Sequence, residues 1–180
     1  MALFKKIVKL FWDDNQYVVY KYDEKQQGAG AFFDAITVYQ NLNEIPKEFK
    51  DIIFKGLLSF ILKNRLRKGG AKLMIYSDNR ELGAYGWLQS GAYFKRKFGF
   101  ISKEASMFGP YWVHPNQRGK GIYGKLLNHS IFENKGEEAI IYTHPTNIAS
   151  QKGIQKAGFT SVGVFRLILV LRIFLIKQKM

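Results

Sequence analysis

A glycine-rich turn between a predicted strand and a predicted helix constrains this chain more than any other segment. The apolar run 108–113 predicts a strand that Pro115 ends, and three glycines follow at positions 119, 121 and 124. A helix over 121–134 is predicted by apolar residues at the spacing of one helical face, Ile122, Leu126, Leu127 and Ile131. Glycine lets backbone approach a ligand closely, and the first turn of a helix has unpaired amides and a positive dipole end. The segment therefore predicts an anion cradle suited to a diphosphate.

Two well-known phosphate-binding motifs fit this turn poorly. A P-loop needs Ser or Thr after Gly-Lys, whereas Gly119-Lys120 is followed by another glycine. The run 119–124 has the glycine spacing of a dinucleotide-binding fingerprint, but that motif needs an acidic residue about twenty residues further on. Glu137-Glu138 comes too early for this role, and the basic flank before the glycines is unusual there.

A third motif fits better. The turn resembles the acyl-CoA binding motif of the GNAT superfamily of N-acetyltransferases, Gln/Arg-x-x-Gly-x-Gly/Ala. Arg118, Gly121 and Tyr123 take its three defined places. Tyr123 departs from the Gly/Ala of the pattern, although Gly124 follows it directly.

A second motif downstream supports the same resemblance. In the superfamily, an Asn at the end of the fifth strand opens a helix that closes with Gly-Phe. Here Asn147 opens the predicted helix 147–157, and Gly158-Phe159 closes it. The two motifs stand in the expected order, and the resemblance covers about residues 75 to 165. The other interpretation is an ordinary strand-helix-strand unit with glycine caps.

The resemblance implies a set of contacts with acetyl-CoA. The pyrophosphate would accept hydrogen bonds from the backbone amides of the turn, those of Gly119, Lys120, Gly121, Tyr123 and Gly124. The side chains of Arg118 and Lys120 would add positive charge. The backbone of Val113 would pair with the pantetheine arm as an added strand. Asn147 would bind the arm near the thioester, with Ser150 beside it, and Asn147 fits a plain helix N-cap equally well.

The catalytic residues are harder to assign. Glu104, on the predicted strand region 102–113 before the turn, and His144, at the end of a predicted strand over 139–143, are the two candidates for the base that deprotonates an ammonium. Many GNAT relatives carry a Tyr seven residues after the Asn as general acid for the thiolate, and here that place holds Ile154. The remaining candidates for the acid are Tyr142, Tyr111 and Ser150, with solvent as the alternative.

The rest of the pattern predicts one α/β domain over residues 1–180. Strands are predicted at 16–22, 31–40, 71–76, 82–88 and 162–176, and a long helix runs from Pro46 to Lys68, where Gly56 is a candidate break. The resemblance implies a mixed, mostly antiparallel sheet with helices on both faces. The sheet would be splayed between the family's fourth and fifth strands, here 108–113 and 139–143. Pro110 favours that splay because proline removes a ladder donor.

Composition limits the partners. The chain has no cysteine, three widely spaced histidines and a formal net charge of +14. We therefore expect no metal site, and we expect polyanionic partners, with a lysine-rich solvated surface as the alternative. No secretory signal or membrane span is recognisable, which predicts a cytoplasmic protein. Nucleic acid is a less favoured partner, while the basic-apolar segment 1–12 is compatible with peripheral membrane contact, and a homodimer is also compatible.

The leading hypothesis is an acetyl-CoA-dependent N-acetyltransferase acting on a primary amine of a small molecule such as an amino sugar. The alternatives are a CoA-binding module without turnover and a basic nucleic-acid or membrane-surface binder. The acceptor site is expected among aromatic and basic residues, Tyr85, Trp87, Tyr93, Phe94, Arg96 and Phe98. These suit a phosphorylated sugar, and a peptide or an antibiotic almost as well.

Overall fold

The computed structural model describes residues 12–22, 30–55, 59–68, 70–93, 101–102, 104–135, 138–170 and 173–179. The strands within these ranges are β1 (Trp12–Tyr22), β2 (Ile36–Tyr39), β3 (Lys72–Asp78), β4 (Glu81–Ser90), β5 (Ser106–Val113), β6 (Ala139–Thr143), β7 (Thr160–Val170) and β8 (Ile173–Lys179). The α-helices are α1 (Lys47–Ile53), α2 (Ser59–Lys68), α3 (Ile122–Asn134) and α4 (Ile148–Lys156). Segment 1–11 lies outside the described residues, and so does most of the expected aromatic-basic segment 93–98.

All eight described strands form one sheet in the order β2-β3-β4-β5-β6-β1-β7-β8. Neighbouring strands are antiparallel except β5 and β6, which are parallel. The β5–β6 pairing covers only Ser106–Phe108 opposite Ala139–Ile141, although both strands continue beyond it. The expected mixed, mostly antiparallel sheet with a splay between these two strands is confirmed.

A bulge in β5 accompanies the splay. Phe108 pairs with Leu88 and Tyr111 pairs with Gly86, so two residues of β5, Gly109 and Pro110, lie opposite a single residue of β4. The side-chain amide of Gln89 donates to the carbonyl of Gly109. Because proline has no N–H and a bulge bends its strand, β5 turns away from β6 at this point.

Helices cover both faces of the sheet, as predicted. On one face α3 and α4 pack against the sheet in a cluster that contains Leu126, Leu127 and Ile154, all fully buried. On the other face α1 and α2 pack over a second cluster around Trp87. The four apolar residues that predicted α3 are at most 5% exposed, so the predicted helical face is confirmed. None of the described helices is long and apolar enough to cross a bilayer.

Several element bounds differ from the sequence prediction. The predicted long helix is two helices, α1 ending at Ile53 and α2 beginning at Ser59, on either side of the candidate break at Gly56. The described part of the predicted final strand material, residues 162–170 and 173–176, belongs to the antiparallel pair β7 and β8. Strand β1 begins at Trp12 rather than Gln16 because it pairs with β7 along its whole length.

The prediction of a strand over 31–40 was wrong at its first half, where the chain instead packs on α3. The Phe33 N–H donates to Nδ1 of His129 at 3.1 Å, so it does not join the sheet ladder. A Cβ on Gly30 would lie 2.3 Å from the carbonyl oxygen of Asn128, so only glycine allows this approach to the helix. Gly30 and Phe33 are therefore held against α3, and Phe33 lines the larger cavity described below.

His129 makes the stability of this contact depend on pH. Its ring is fully buried, and burial lowers its pKa, while the Glu133 carboxylate partly opposes the shift. Nδ1 accepts from a backbone N–H, so the folded state needs the neutral ring. The unfolded chain binds the proton more tightly, and the free energy of unfolding should fall as pH drops below about 6.5, by at most about 1.4 kcal/mol per pH unit.

Urea denaturation of the wild type and His129→Asn from pH 7.5 to pH 5 measures this effect. The asparagine oxygen can accept from the Phe33 N–H but does not titrate, so the variant should lose stability less steeply. Equal slopes in the two proteins would show that His129 does not cause the acid sensitivity.

Candidate functional site

The turn after β5 has the conformation that its glycines predict. Residues Pro115–Gln117 form a short 3₁₀ turn, followed by Gly119 with φ of 76° and Gly121 with φ of 74°. These left-handed conformations favour glycine. The first helical hydrogen bond joins the Lys125 N–H to the Gly121 carbonyl at 3.1 Å, so the amides of residues 122–124 have no acceptor within the helix.

The larger of two adjoining cavities, about 790 Å³ in volume, opens at this helix start. A Cβ added at Gly119, Gly121 or Gly124 would meet no atom within 4 Å, so the turn leaves space for a ligand. The charged side chains among its described lining residues are all basic, namely Arg118, Lys125 and Lys156. Unpaired amides, a positive helix end and three cations suit a diphosphate.

Eight of the nine predicted cofactor-binding residues line the larger cavity: Val113, Arg118, Gly119, Gly121, Tyr123, Gly124, Asn147 and Ser150. The ninth, Lys120, is exposed, and its Nζ donates to Oε1 of Gln117 at 3.0 Å. Lys120 is not among the lining residues of this cavity, and the added charge expected from its side chain stays a prediction. Lys125 and Lys156 were missed because they line the same cavity only when α3 packs on α4, which no local pattern reveals.

The backbone of Val113 faces the gap between β5 and β6. The His114 N–H donates to the Gly83 carbonyl on the β4 side at 2.8 Å, and peptide groups alternate along a strand, so those of Val113 point to the other side. There the Val113 carbonyl accepts from Nε of Arg118 at 3.3 Å. An extended ligand that paired with Val113 would displace this guanidinium, which could then turn to a phosphate.

A smaller cavity of about 330 Å³ lies in the splay itself. Its lining includes Met107 and Tyr142 from one face of the sheet and Phe108 and Ile141 from the other, so it passes between the strands. It shares four lining residues with the larger cavity, Tyr111, Tyr123, Asn147 and Ser150. Helix α2 adds Arg65 to the wall. The two cavities therefore meet beside the start of α4.

Tyr123 stands at this junction. Its hydroxyl is 3.0 Å from Oγ of Ser150, and its ring packs edge-on against Tyr111 with centroids 5.6 Å apart. A Cβ on Gly153 would lie 2.6 Å from the Tyr123 ring, so Gly153 makes room for the phenol. Burial raises the pKa of Tyr123 to about 12, although the Ser150 hydrogen bond opposes the shift. Tyr123 therefore keeps its proton at neutral pH and can donate it.

The sequence pattern gave a role only to the backbone amide of Tyr123 and none to its side chain. Among the residues considered as the acid, Tyr111 is directed elsewhere, because its hydroxyl lies 2.7 Å from Oγ of Ser130 on α3 and burial raises its pKa. Tyr142 packs edge-on against Tyr17 on the opposite face of the sheet. Ile154, at the place of the usual acid, is fully buried. Tyr123, by contrast, lines both cavities, and its hydroxyl is hydrogen-bonded to that of Ser150 where the cavities meet.

Asn147 is the N-cap of α4, which confirms the second interpretation of this residue, that of a helix N-cap. Its Oδ1 accepts from the Ser150 N–H at 3.1 Å, and its side chain lines both cavities. The amide nitrogen of the same side chain is not used by this cap. Asn147 can therefore cap the helix with one atom and donate to a ligand with the other.

Glu104 does not reach the cavities. It lies before β5 begins rather than on that strand, is exposed, and accepts from the Ser102 hydroxyl. The parallel strands pair with Phe108 opposite Ile141, so Glu104 lies before the start of β5 while His144 lies beyond the opposite end of β6. The expectation that Glu104 sits on the strand at the turn is corrected, because the chain bends at that point.

His144 follows β6 and is exposed. Its Nδ1 accepts from the Thr146 N–H at 3.3 Å and lies 2.8 Å from the Thr146 hydroxyl, so in the neutral ring the proton is on Nε2. The lone pair that a base needs is thus engaged by Thr146. Its role as the base stays a prediction, and this arrangement does not favour it.

The expected acceptor-site aromatics are only partly described. Trp87 is fully buried in the core under α1 and α2, so it cannot stack on a ligand, and its assignment is corrected. Tyr85 stacks on Trp112 with ring centroids 5.5 Å apart. The side chains of Tyr93, Phe94, Arg96 and Phe98 lie outside the described residues.

Several solved structures with the same architecture are described as acetyltransferases of the GNAT family. No protein-family model matches the chain, and no curated protein matches its sequence. A protein from Novosphingobium aromaticivorans that is described as an acetyltransferase of the GNAT family superposes with a TM-score of 0.60 at 11% identity over 93% of this chain and 66% of its own. A GNAT-family acetyltransferase from Colwellia psychrerythraea gives 0.56 at 23% identity over 87% and 55%.

A third match is a GCN5-related glucosamine N-acetyltransferase region of a fungal multi-domain β-N-acetylglucosaminidase. It gives a TM-score of 0.60 at 13% identity and covers 93% of this chain and 22% of that one. The chain thus spans about two thirds or less of the length of these proteins. Identities this low establish common architecture only. The chain has the fold of the GNAT acetyltransferases.

Proposed function

We propose that this chain is an acyl-CoA-dependent N-acyltransferase that transfers an acetyl group from acetyl-CoA to a primary amine of a small molecule. The observation that carries the proposal is the junction of two cavities at Asn147, Ser150 and Tyr123. One cavity begins at an anion-binding helix start, and the other passes through the splayed sheet. A long phosphorylated donor and a small acceptor can therefore approach one point from different directions.

The residues of the larger cavity fit coenzyme A. When bound, acetyl-CoA supplies a thioester that can be attacked at its carbonyl carbon. The amides of residues 122–124, with Arg118, Lys125 and Lys156, would hold its phosphates. Val113 would offer backbone hydrogen bonds to its arm in the gap between β5 and β6. Asn147 would orient the thioester end with its unused amide.

Two further steps are needed, attack by the amine of the acceptor and protonation of the departing sulfur by Tyr123. A neutral amine attacks, the new N–C bond forms as the C–S bond breaks, and the amine gives up one proton. Tyr123 holds a proton at its hydroxyl for the departing sulfur, and Ser150 keeps that hydroxyl in place. The described lining of the smaller cavity contains no carboxylate and no imidazole, so we propose that solvent takes the proton of the amine.

A second candidate is a CoA-binding module without turnover. The buried Ile154 at the usual place of the acid favours it, since the fold is kept and the familiar donor is missing. The donor site would be the same in both cases, so only a measurement of turnover separates them.

Calorimetry with acetyl-CoA and a thiol-release assay over a panel of amines test the proposal. The panel should include glucosamine, because one protein of similar fold is a glucosamine N-acetyltransferase region. Micromolar binding and amine-dependent thiol release are expected. Binding of acetyl-CoA without thiol release for any amine would support the second candidate, the CoA-binding module without turnover. No binding at millimolar acetyl-CoA would refute both candidates.

A further inference from the structure

The wall of the smaller cavity contains one charged side chain among its described residues, and that side chain is a cation. Arg65 reaches the cavity from α2, on the face of the sheet opposite to α3 and α4. The surrounding wall is largely apolar and aromatic, with Met107, Phe108, Tyr111 and Tyr142. In such surroundings a guanidinium interacts with an anion more strongly than it does in water.

We propose that the acceptor is a primary amine that also carries an anionic group, a carboxylate or a phosphate, and that Arg65 binds this group. The proposal rests on the acyltransferase function proposed above. A guanidinium presents a planar set of N–H donors that can pair with two oxygens of either a carboxylate or a phosphate, so Arg65 is suited to both anions.

The phosphates of the donor do not account for Arg65. They have their own cations, Arg118, Lys125 and Lys156, in the larger cavity, whose lining does not include Arg65. The three glycines of the helix start, Gly119, Gly121 and Gly124, line the larger cavity and not the smaller one. An anion at Arg65 therefore belongs to the molecule that enters from the side of α2.

The size and charge of the cavity agree with a small amine of this kind. Its volume of about 330 Å³ is at the lower end of ligand pockets, which range from about 300 to 1,000 Å³. A carboxylate or phosphate on the acceptor would supply the charge opposite to that of Arg65.

Matched acceptor pairs test the proposal with the intact chain. Glucosamine 6-phosphate against glucosamine provides the phosphate arm, and phenylalanine against phenylalaninamide provides the carboxylate arm. We expect the wild type to prefer the anionic member of at least one pair in kcat/KM by about 10- to 100-fold, the range expected for hydrogen bonds to a charged group. The arm that shows the preference identifies the anion.

Arg65→Met should remove the preference by raising KM for the anionic member and leaving KM for the neutral one unchanged, and Arg65→Lys should restore part of it. Arg67→Met is the matched control, because Arg67 is exposed on the same helix and does not line the cavity. Equal use of both members by the wild type would overturn the inference and leave the acyltransferase function standing. If acetyl-CoA binds and no amine is acetylated, the proposed function fails, and the inference fails with it.

Discussion

Gly124→Phe is expected to weaken the binding of coenzyme A at least about 100-fold while the chain stays folded. Gly124 lies in the first turn of α3 and does not have a positive φ. It lines the larger cavity, and a Cβ added there would meet no atom within 4 Å. A phenyl ring would occupy the space beside the unpaired amides. Loss of two or more charge-assisted hydrogen bonds, each contributing about 1.5–3 kcal/mol, should weaken binding at least about 100-fold in calorimetry.

Thermal unfolding and a control variant separate this effect from misfolding. Replacing a helical glycine by another residue stabilises a helix by up to about 1 kcal/mol, so the melting temperature should not fall. Gln155→Phe places the same ring on an exposed position of α4 that does not line the cavity, and it should bind normally. Gly121 is a poorer choice, since its φ of 74° would strain any other residue. Wild-type affinity in Gly124→Phe would contradict the location of the cradle.

The helix start could be predicted from the sequence because its determinants are local. Pro115 ends a strand, glycines permit left-handed backbone, and an apolar face at helical spacing fixes which side of α3 is buried. Gly109-Pro110 similarly indicated where β5 leaves β6, and the short parallel pairing confirms it. Each of these features depends on residues within a few positions of one another.

The chemistry beyond the helix start could not be predicted in the same way. Arg65 reads as an ordinary basic residue in the last turn of a helix, and only the packing of α2 on the sheet brings it to the splay. Tyr123 reads as a departure from a glycine position, and only Gly153, on another helix, shows where its ring goes. Trp87 and Glu104 were misplaced because burial and strand bounds depend on tertiary contacts.

Tyr123→Phe should reduce kcat by about 100- to 10,000-fold, the usual contribution of a general acid, with little change in affinity for acetyl-CoA. The variant keeps the ring that packs against Tyr111 and Gly153 and removes only the hydroxyl that bonds to Ser150. Because the pKa of this phenol is about 12, the wild type should show no loss of rate from its ionisation up to pH 10. Steady-state thiol release across pH 6–10 measures both effects.

Changing the leaving group distinguishes an acid from a structural residue. An aryl thioester releases a thiol of much lower pKa, which needs no proton as it departs, so the rate deficit of Tyr123→Phe should shrink with such a donor. Ser150→Ala keeps the phenol and removes only its hydrogen-bond partner, and it should lower kcat far less. If Tyr123→Phe is equally slow with both donors, the hydroxyl only supports the geometry of the junction. If kcat is unchanged with acetyl-CoA, the sulfur takes its proton from solvent and Tyr123 has no part in the reaction.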